Sequence, residues 1–225
     1  MTLISSSVVV AKNRQLAITG ALSALIILMG IPGLHLGYIP FFGTTVTIIH
    51  VPVILAAILG GLPGALVTSF IFGLTSLVNA AANPVSVLDP MFVNPLCSIL
   101  PRLLFGAAAW ILFKLFELIP HMPKALNAAL TALISTCYHS FCVFASLFVF
   151  ANNVKFDNFR SVMAEYYKNP SYAKAGLITI LVVFGSSIIL EACAATIFNT
   201  AVVGAISVSS RSKSKLLKDE EKQVK

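Results

Sequence analysis

The chain has 225 residues, of which 58% are hydrophobic and only 10% are charged. Soluble domains carry about a quarter charged residues, so this composition excludes an ordinary soluble protein and predicts an integral membrane protein. The net charge is +7, but in a membrane protein with several spans such an excess marks the cytoplasmic loops and does not indicate nucleic-acid binding.

Six apolar segments approach the roughly 20 residues that a helix needs to cross a bilayer. They lie at 15–34, 44–60, 63–80, 95–117, 125–151 and 174–206. The second and third are separated only by Gly60-Gly61-Leu62-Pro63-Gly64, which leaves room for a tight reversal and nothing longer. We therefore predict an all-α membrane protein in which residues 1–206 form a bundle of six transmembrane helices.

The basic residues are divided unevenly between the two ends of these spans. Four belong to the connection after the fifth span: Lys155, Arg160, Lys168 and Lys174. Ten belong to the opposite end: Lys12, Arg14, Lys114, Lys124, Arg211, Lys213, Lys215, Lys218, Lys222 and Lys225. The positive-inside rule then predicts that both termini are cytoplasmic. Residues 207–225 are too polar to span, and we expect a flexible cytoplasmic tail whose basic half is suited to anionic lipid headgroups.

Motifs for catalysis are missing from the sequence. No glycine precedes a lysine, so the phosphate-binding loop G-x-x-x-x-G-K-[ST] is absent. There is no H-E-x-x-H and no C-x-x-C, and the four histidines lack the i, i+4 spacing of a metal site. We expect a protein that is not an enzyme and that binds no cofactor of its own.

Two charges lie well inside predicted spans, Arg102 in the fourth and Glu191 in the sixth. An arginine at the centre of a bilayer costs roughly 2.5 kcal/mol on insertion scales, so protein rather than lipid should surround it. Two explanations remain open. Arg102 and Glu191 form an ion pair or hydrogen-bonded link between helices, or Arg102 faces a cavity and receives the anionic group of a ligand.

His50 is predicted to lie in the middle of the second span, where Pro52 bends the helix and frees a backbone carbonyl. His50 then either packs at this kink, where it or Thr47 satisfies the freed carbonyl, or contacts a ligand. Sparse polar groups of this kind orient small molecules in apolar pockets. The full set of candidate substrate-binding residues is Arg102, His50, Tyr38, Phe42, Asn94, His139, Asn152 and Glu191.

The first span carries small residues four apart, Ala17 and Ala21, with Ala24 on the adjoining turn. Small side chains at this spacing let two helix backbones approach closely, which is the main source of helix association in lipid. These alanines are candidates for contact with another membrane helix.

Residues 44–78, TTVTIIHVPVILAAILGGLPGALVTSFIFGLTSLV, followed by SILPRLLFG at 98–106, resemble the substrate-binding S components of energy-coupling factor (ECF) vitamin transporters. Three elements carry the resemblance: H-x-P at His50 and Pro52, the third span ending at residues 73–76, and P-R-x-x-x-G at Pro101, Arg102 and Gly106.

The resemblance implies a six-helix S component that captures a vitamin at the outer face of a prokaryotic plasma membrane, with the outer ends of helices four to six and closing loops. It implies docking on a membrane T component driven by two ATPase subunits, with Ala17, Ala21 and Ala24 at the contact. The missing phosphate-binding loop fits, because the ATPase is another chain.

The H-x-P and P-R pattern is most similar to S components for pantothenate or cobalamin; folate and riboflavin stay possible ligands. Pantothenate is a carboxylate and suits Arg102. The outer segment 152–173 is longer than the family leads us to expect. It is either a lid, which would favour a larger ligand such as cobalamin, or an amphipathic surface element.

A self-sufficient secondary transporter of a small organic anion is the alternative. Coupling-ion sites usually bring further embedded Asp or Glu residues, and such transporters usually show inverted repeats. Neither feature is found in this sequence, which favours a binding subunit that needs partners.

Overall fold

The computed structural model describes residues 2–34, 36–41, 44–82, 89–150 and 177–223. Their helices are α1 (Thr2–Met29), α2 (His50–Ala82), α3 (Asp89–Phe92), α4 (Pro95–Glu117), α5 (Lys124–Phe150) and α6 (Leu177–Gln223), and their strands are β1 (Tyr38–Phe41) and β2 (Thr44–Thr47). Four segments of this part of the chain are long and apolar enough to cross a membrane: His50–Ala82, Pro95–Glu117, Lys124–Leu147 and Gly185–Ser210. The protein is a mostly helical membrane protein, which confirms the predicted class, but the all-α prediction missed the two strands.

Helix α2 consists of two arms joined at Gly61. Gly61 has φ 72° and ψ −167°, a conformation open mainly to glycine. A Cβ placed on Gly64 would lie 3.1 Å from the carbonyl oxygen of Ala56, eight residues earlier, whereas eight residues of a continuous helix span about 12 Å. The chain therefore reverses at Gly61, as the Gly-Gly-Leu-Pro-Gly run predicts, and residues 50–60 and 62–82 form a first and a second arm.

The predicted second span, 44–60, is wrong over residues 44–49. Residues Thr44–Thr47 form strand β2, and the helix begins only at His50. Pro52 consequently lies in the first helical turn, where backbone N–H groups have no partner within the helix and a proline removes nothing. The predicted kink at Pro52 is absent, and His50 is the first residue of the arm rather than its centre.

Strands β1 and β2 form an antiparallel hairpin in which Tyr38 pairs with Thr47 and Ile39 with Val46. The Ile48 N–H donates to the Gly37 carbonyl at 3.0 Å and extends the pairing by one step. β-Branched residues in β2 favour an extended strand. Strand β2 packs against α6, so the hairpin leads directly into the first arm at the side of the last helix.

Helix α1 packs on α2 near both of its ends. Near the turn, Thr19 packs against Gly60 and Gly64 of α2. A Cβ added to Gly60 would lie 2.9 Å from Thr19 Oγ1, and one added to Gly64 would lie 2.8 Å from it. At the other end, the Asn79 side chain donates to the Gly30 carbonyl. Small residues at a helix contact allow this close approach in a membrane protein.

Helices α1, α2, α4, α5 and α6 share one apolar core. Its fully buried members include Ile26, Ile54, Phe72, Phe105, Ala132 and Ala195. Helices α5 and α6 run antiparallel, since Ala125 lies against Gly204 while Ala132 and Ala195 belong to the same buried cluster.

Helix α6 is 47 residues long and continues through residues 207–223. The predicted boundary between the membrane domain and the tail at 206 therefore falls inside one helix. The flexibility expected of 207–225 stays a prediction. The predicted lid, residues 152–173, lies outside the described residues.

Candidate functional site

Arg102 is held by a carbonyl that Pro101 leaves free. Within a helix, the N–H of residue 101 would bond to the carbonyl of residue 97, but proline has no N–H. Arg102 Nη1 donates to that Cys97 carbonyl at 2.8 Å. Pro101 thus leaves the Cys97 carbonyl without its helical donor, and the guanidinium of the next residue supplies a replacement hydrogen bond. This explains in physical terms why proline and arginine are adjacent.

The guanidinium of Arg102 is enclosed by aromatic rings. It lies 5.5 Å from the centroid of Phe72 and 4.8 Å from that of Phe92, distances at which a cation is attracted to a ring face. Phe92 belongs to the short helix α3, which Ser98 Oγ ties to α4 by donating to the Phe92 carbonyl. Arg102 is only 5% exposed, so protein surrounds this charge, as its position in the sequence requires.

Arg102 Nε has no hydrogen-bond partner among the described residues. A buried donor without a partner costs about 1–3 kcal/mol, and more when it is charged. Arg102 does not form an ion pair with Glu191, although their charges interact through the interior. Of the two explanations left open from the sequence, the direct ion pair with Glu191 is therefore not formed, and the guanidinium keeps a donor that an acceptor from outside the chain could use.

His50 and His139 stack on each other beside Arg102. Their ring centroids are 6.2 Å apart with 14° between the planes. Phe105 and Phe72 lie 4.9 and 5.6 Å from the His139 ring and form the apolar walls. All four imidazole nitrogens are buried and have no hydrogen-bond partner in the described part of the chain. The His50 ring lies near the backbone of Thr47 and Glu191, outside hydrogen-bonding geometry.

Tyr38 completes the set from strand β1. Its hydroxyl is buried near Thr75 and Ser76, again without a hydrogen bond in the described residues. We call Tyr38, His50, Arg102 and His139 the polar cluster. Buried polar groups are nearly always paired, so several unpaired groups in one place indicate a binding site. With aromatic walls and one cation, the cluster suits a small molecule that carries an anion and neutral hydrogen-bonding groups.

Glu191 lies beside the polar cluster but is already engaged. It is 6% exposed, and its Oε1 accepts a hydrogen bond from the Thr47 backbone N–H at 2.6 Å. No group of three or more His, Cys, Asp or Glu side chains suited to a metal ion occurs among the described residues.

The other predicted site residues are distributed differently. Asn94 caps α4, because its side chain accepts from the Leu96 N–H at 3.0 Å, and this use leaves its ligand role a prediction. Phe42 and Asn152 lie outside the described residues. Ala17, Ala21 and Ala24 are exposed on α1.

Three phenylalanines that wall the polar cluster were not predicted from the sequence: Phe72, Phe92 and Phe105. Phe105 follows Arg102 by three positions and so shares its face of α4. That spacing is a signal the sequence does contain. Phe72 and Phe92 carry no comparable signal, because their closeness to Arg102 depends on how α2 and α3 pack.

The chain was compared with known proteins. The family "ECF transporter, substrate-specific component" matches residues 14–210. The pantothenate transporter PanT of Leuconostoc mesenteroides subsp. mesenteroides is 41% identical over 101 residues, which cover 42% of this chain and 48% of that protein. The chain therefore spans about half the length of this curated relative. Because the family match covers most of the chain, the protein belongs to the substrate-specific components of ECF transporters.

Proposed function

We propose that this chain binds pantothenate at the outer face of a prokaryotic plasma membrane and delivers it through a T component driven by two ATPase subunits. The observation that carries the ligand assignment is Arg102, a buried guanidinium between two phenyl rings whose Nε has no partner in the described residues. A carboxylate is the natural acceptor for such a donor. The relative named as a pantothenate transporter supports the same choice.

The rest of the polar cluster suits the remainder of that ligand. Pantothenate carries one carboxylate, one amide and two hydroxyl groups. The ring nitrogens of His50 and His139 and the hydroxyl of Tyr38 can each donate or accept. An aromatic enclosure excludes water and strengthens each of these bonds. Riboflavin has no anionic group, cobalamin offers a phosphodiester rather than a carboxylate, and folate has two carboxylates for one guanidinium, so pantothenate matches Arg102 best.

The proposed topology has six crossings and cytoplasmic termini. Five segments have about 20 residues or more: helix α1, the second arm of α2, and helices α4, α5 and α6. The first arm of α2, residues 50–60, supplies the sixth segment and covers about 16 Å as a helix. The ten basic residues counted at one end support a cytoplasmic location for both termini. The many exposed apolar side chains of these helices suit contact with lipid. We propose that the chain itself uses no cofactor and contacts no nucleic acid.

A bulky residue at position 21 is expected to block docking on the T component. Ala21 is exposed on α1, and the close helix contact that the family leads us to expect there tolerates only small side chains. Ala21→Leu should reduce uptake by the assembled importer to background while ligand binding by the isolated chain is unchanged. The matched control is Ala201→Leu, an exposed alanine on α6, which should support normal uptake. Equal uptake by both variants would contradict this contact.

The function is tested by calorimetry on the purified chain with pantothenate, cobalamin, folate and riboflavin. We expect one pantothenate per chain with a Kd below about 1 µM and no comparable binding of the others. Reconstituted alone, the chain should not transport pantothenate under any ion gradient, and uptake should require the T component, the ATPases and ATP. Uptake by the chain alone would instead support a secondary transporter, and tight binding of another vitamin would overturn the ligand assignment.

A further inference from the structure

The β-hairpin presents an open edge to helix α6. In an antiparallel pair, successive N–H groups of a strand point alternately toward the partner strand and away from it. The Ile48 N–H points toward β1, since it donates to the Gly37 carbonyl at 3.0 Å. The Thr47 N–H must then point away from β1, and it meets Glu191 Oε1 at 2.6 Å.

This hydrogen bond satisfies a backbone N–H at the edge of the hairpin, which has no partner within the two strands. An edge N–H that is removed from water needs an acceptor, and a missing one costs several kcal/mol in a hydrocarbon setting. Glu191 is 6% exposed and Thr47 is half-buried, so the bond is formed at a partly buried position. Burying a carboxylate in a membrane protein costs free energy, and here the hydrogen bond from the Thr47 N–H offsets part of that cost.

Two members of the polar cluster depend on the position of Thr47. Tyr38 is its partner across the hairpin, and His50 follows it by three residues at the start of the first arm. Fixing Thr47 against α6 therefore fixes both strands of the hairpin where they enter the site. We infer that Glu191 is a positioning residue, which holds the β-hairpin to α6 and thereby places Tyr38 and His50, rather than a residue that contacts the ligand.

The inference is tested first without any ligand, by amide hydrogen exchange on the full chain. In Glu191→Ala, the amides of residues 44–49 should exchange about 10- to 100-fold faster than in the parent chain, because the hydrogen bond that holds the hairpin to α6 is lost. Glu191→Gln keeps an oxygen in the same place and should restore most of the protection. Because no ligand is present, this result is independent of whether pantothenate is the substrate.

Binding then separates positioning from contact. A positioning role requires that pantothenate affinity follow the exchange rates, weak in Glu191→Ala and largely recovered in Glu191→Gln. A charge-dependent contact would make both variants equally weak although Glu191→Gln protects the hairpin, and that result would overturn the inference. This readout rests on the proposed function, whereas the exchange measurement does not.

A double substitution guards against a variant that fails to fold. Thr47→Pro removes the N–H at an edge position where proline is tolerated, and leaves Glu191 without its donor. Thr47→Pro combined with Glu191→Leu removes both partners, which is usually far less damaging than removing one. We expect the double variant to unfold at a higher temperature than Thr47→Pro alone. Additive losses would mean that the two groups are not coupled.

Discussion

Replacing Arg102 by glutamine is expected to weaken pantothenate binding by about 2–5 kcal/mol, a factor of roughly 30 to 4000, because the buried carboxylate loses its charged partner. The fold should survive this change. A glutamine amide can still donate to the Cys97 carbonyl that Pro101 leaves free, and it is easier to bury than a guanidinium. Calorimetry measures the loss, and the unfolding temperature of the ligand-free variant shows that the protein is intact.

Two controls assign that loss to the carboxylate. Arg102→Lys keeps the charge but loses the planar fork and the face that contacts Phe72 and Phe92, so it should fall between the parent and the glutamine variant. In the alcohol analogue of pantothenate, CH2OH replaces the carboxylate. The parent chain should bind this analogue more weakly than it binds pantothenate, whereas the glutamine variant should bind both compounds with similar affinity. If the glutamine variant still preferred the acid as strongly as the parent, Arg102 would not be the partner of the carboxylate.

Much of the fold could be predicted from the sequence because lipid imposes simple rules on length and polarity. The fourth span was predicted at 95–117 and forms Pro95–Glu117. The reversal between the second and third spans was predictable since Gly61 takes a φ of 72° that glycine accepts readily. The second span was wrongly predicted to begin at residue 44. Residues 44–49 are hydrophobic enough for a span, but all of them are β-branched, and the first four form strand β2.

The candidate site was predictable only where polarity is unusual. Arg102, His50 and His139 stood out because charged or imidazole side chains are rare at membrane depth, and the structure brings them together with Tyr38. The aromatic walls could not be predicted in the same way, since phenylalanine is ordinary in any apolar helix. The partner of Glu191 was equally hidden, because it is a backbone N–H and every residue except proline has one.

The largest effect on stability is expected at Gly106, where α4 crosses the second arm of α2. A Cβ on Gly106 would overlap the Ser69 side chain and lie 2.9 Å from the Ala65 carbonyl oxygen. Backbone cannot move aside as a flexible side chain can, so Gly106→Ala should cost about 1–3 kcal/mol, and Gly106→Val more. Thermal unfolding in detergent should show a midpoint lowered by roughly 3–10 °C for alanine.

The control substitutions for Gly106 separate crowding from a general effect of removing glycine. Gly20 in α1 has no atom within 4 Å of an added Cβ, so Gly20→Ala should leave the midpoint unchanged or raise it, as expected for a helix. Adding Ser69→Gly to Gly106→Ala removes the side-chain overlap but leaves the close contact with the Ala65 carbonyl, so it should recover part of the lost stability.

Arg102 lies one turn before Gly106 on the same face of α4, so separating the two helices also moves the guanidinium away from Phe72. Gly106→Ala should therefore bind pantothenate more weakly even below its unfolding temperature, and an unchanged affinity together with an unchanged midpoint would mean that the close crossing is not needed.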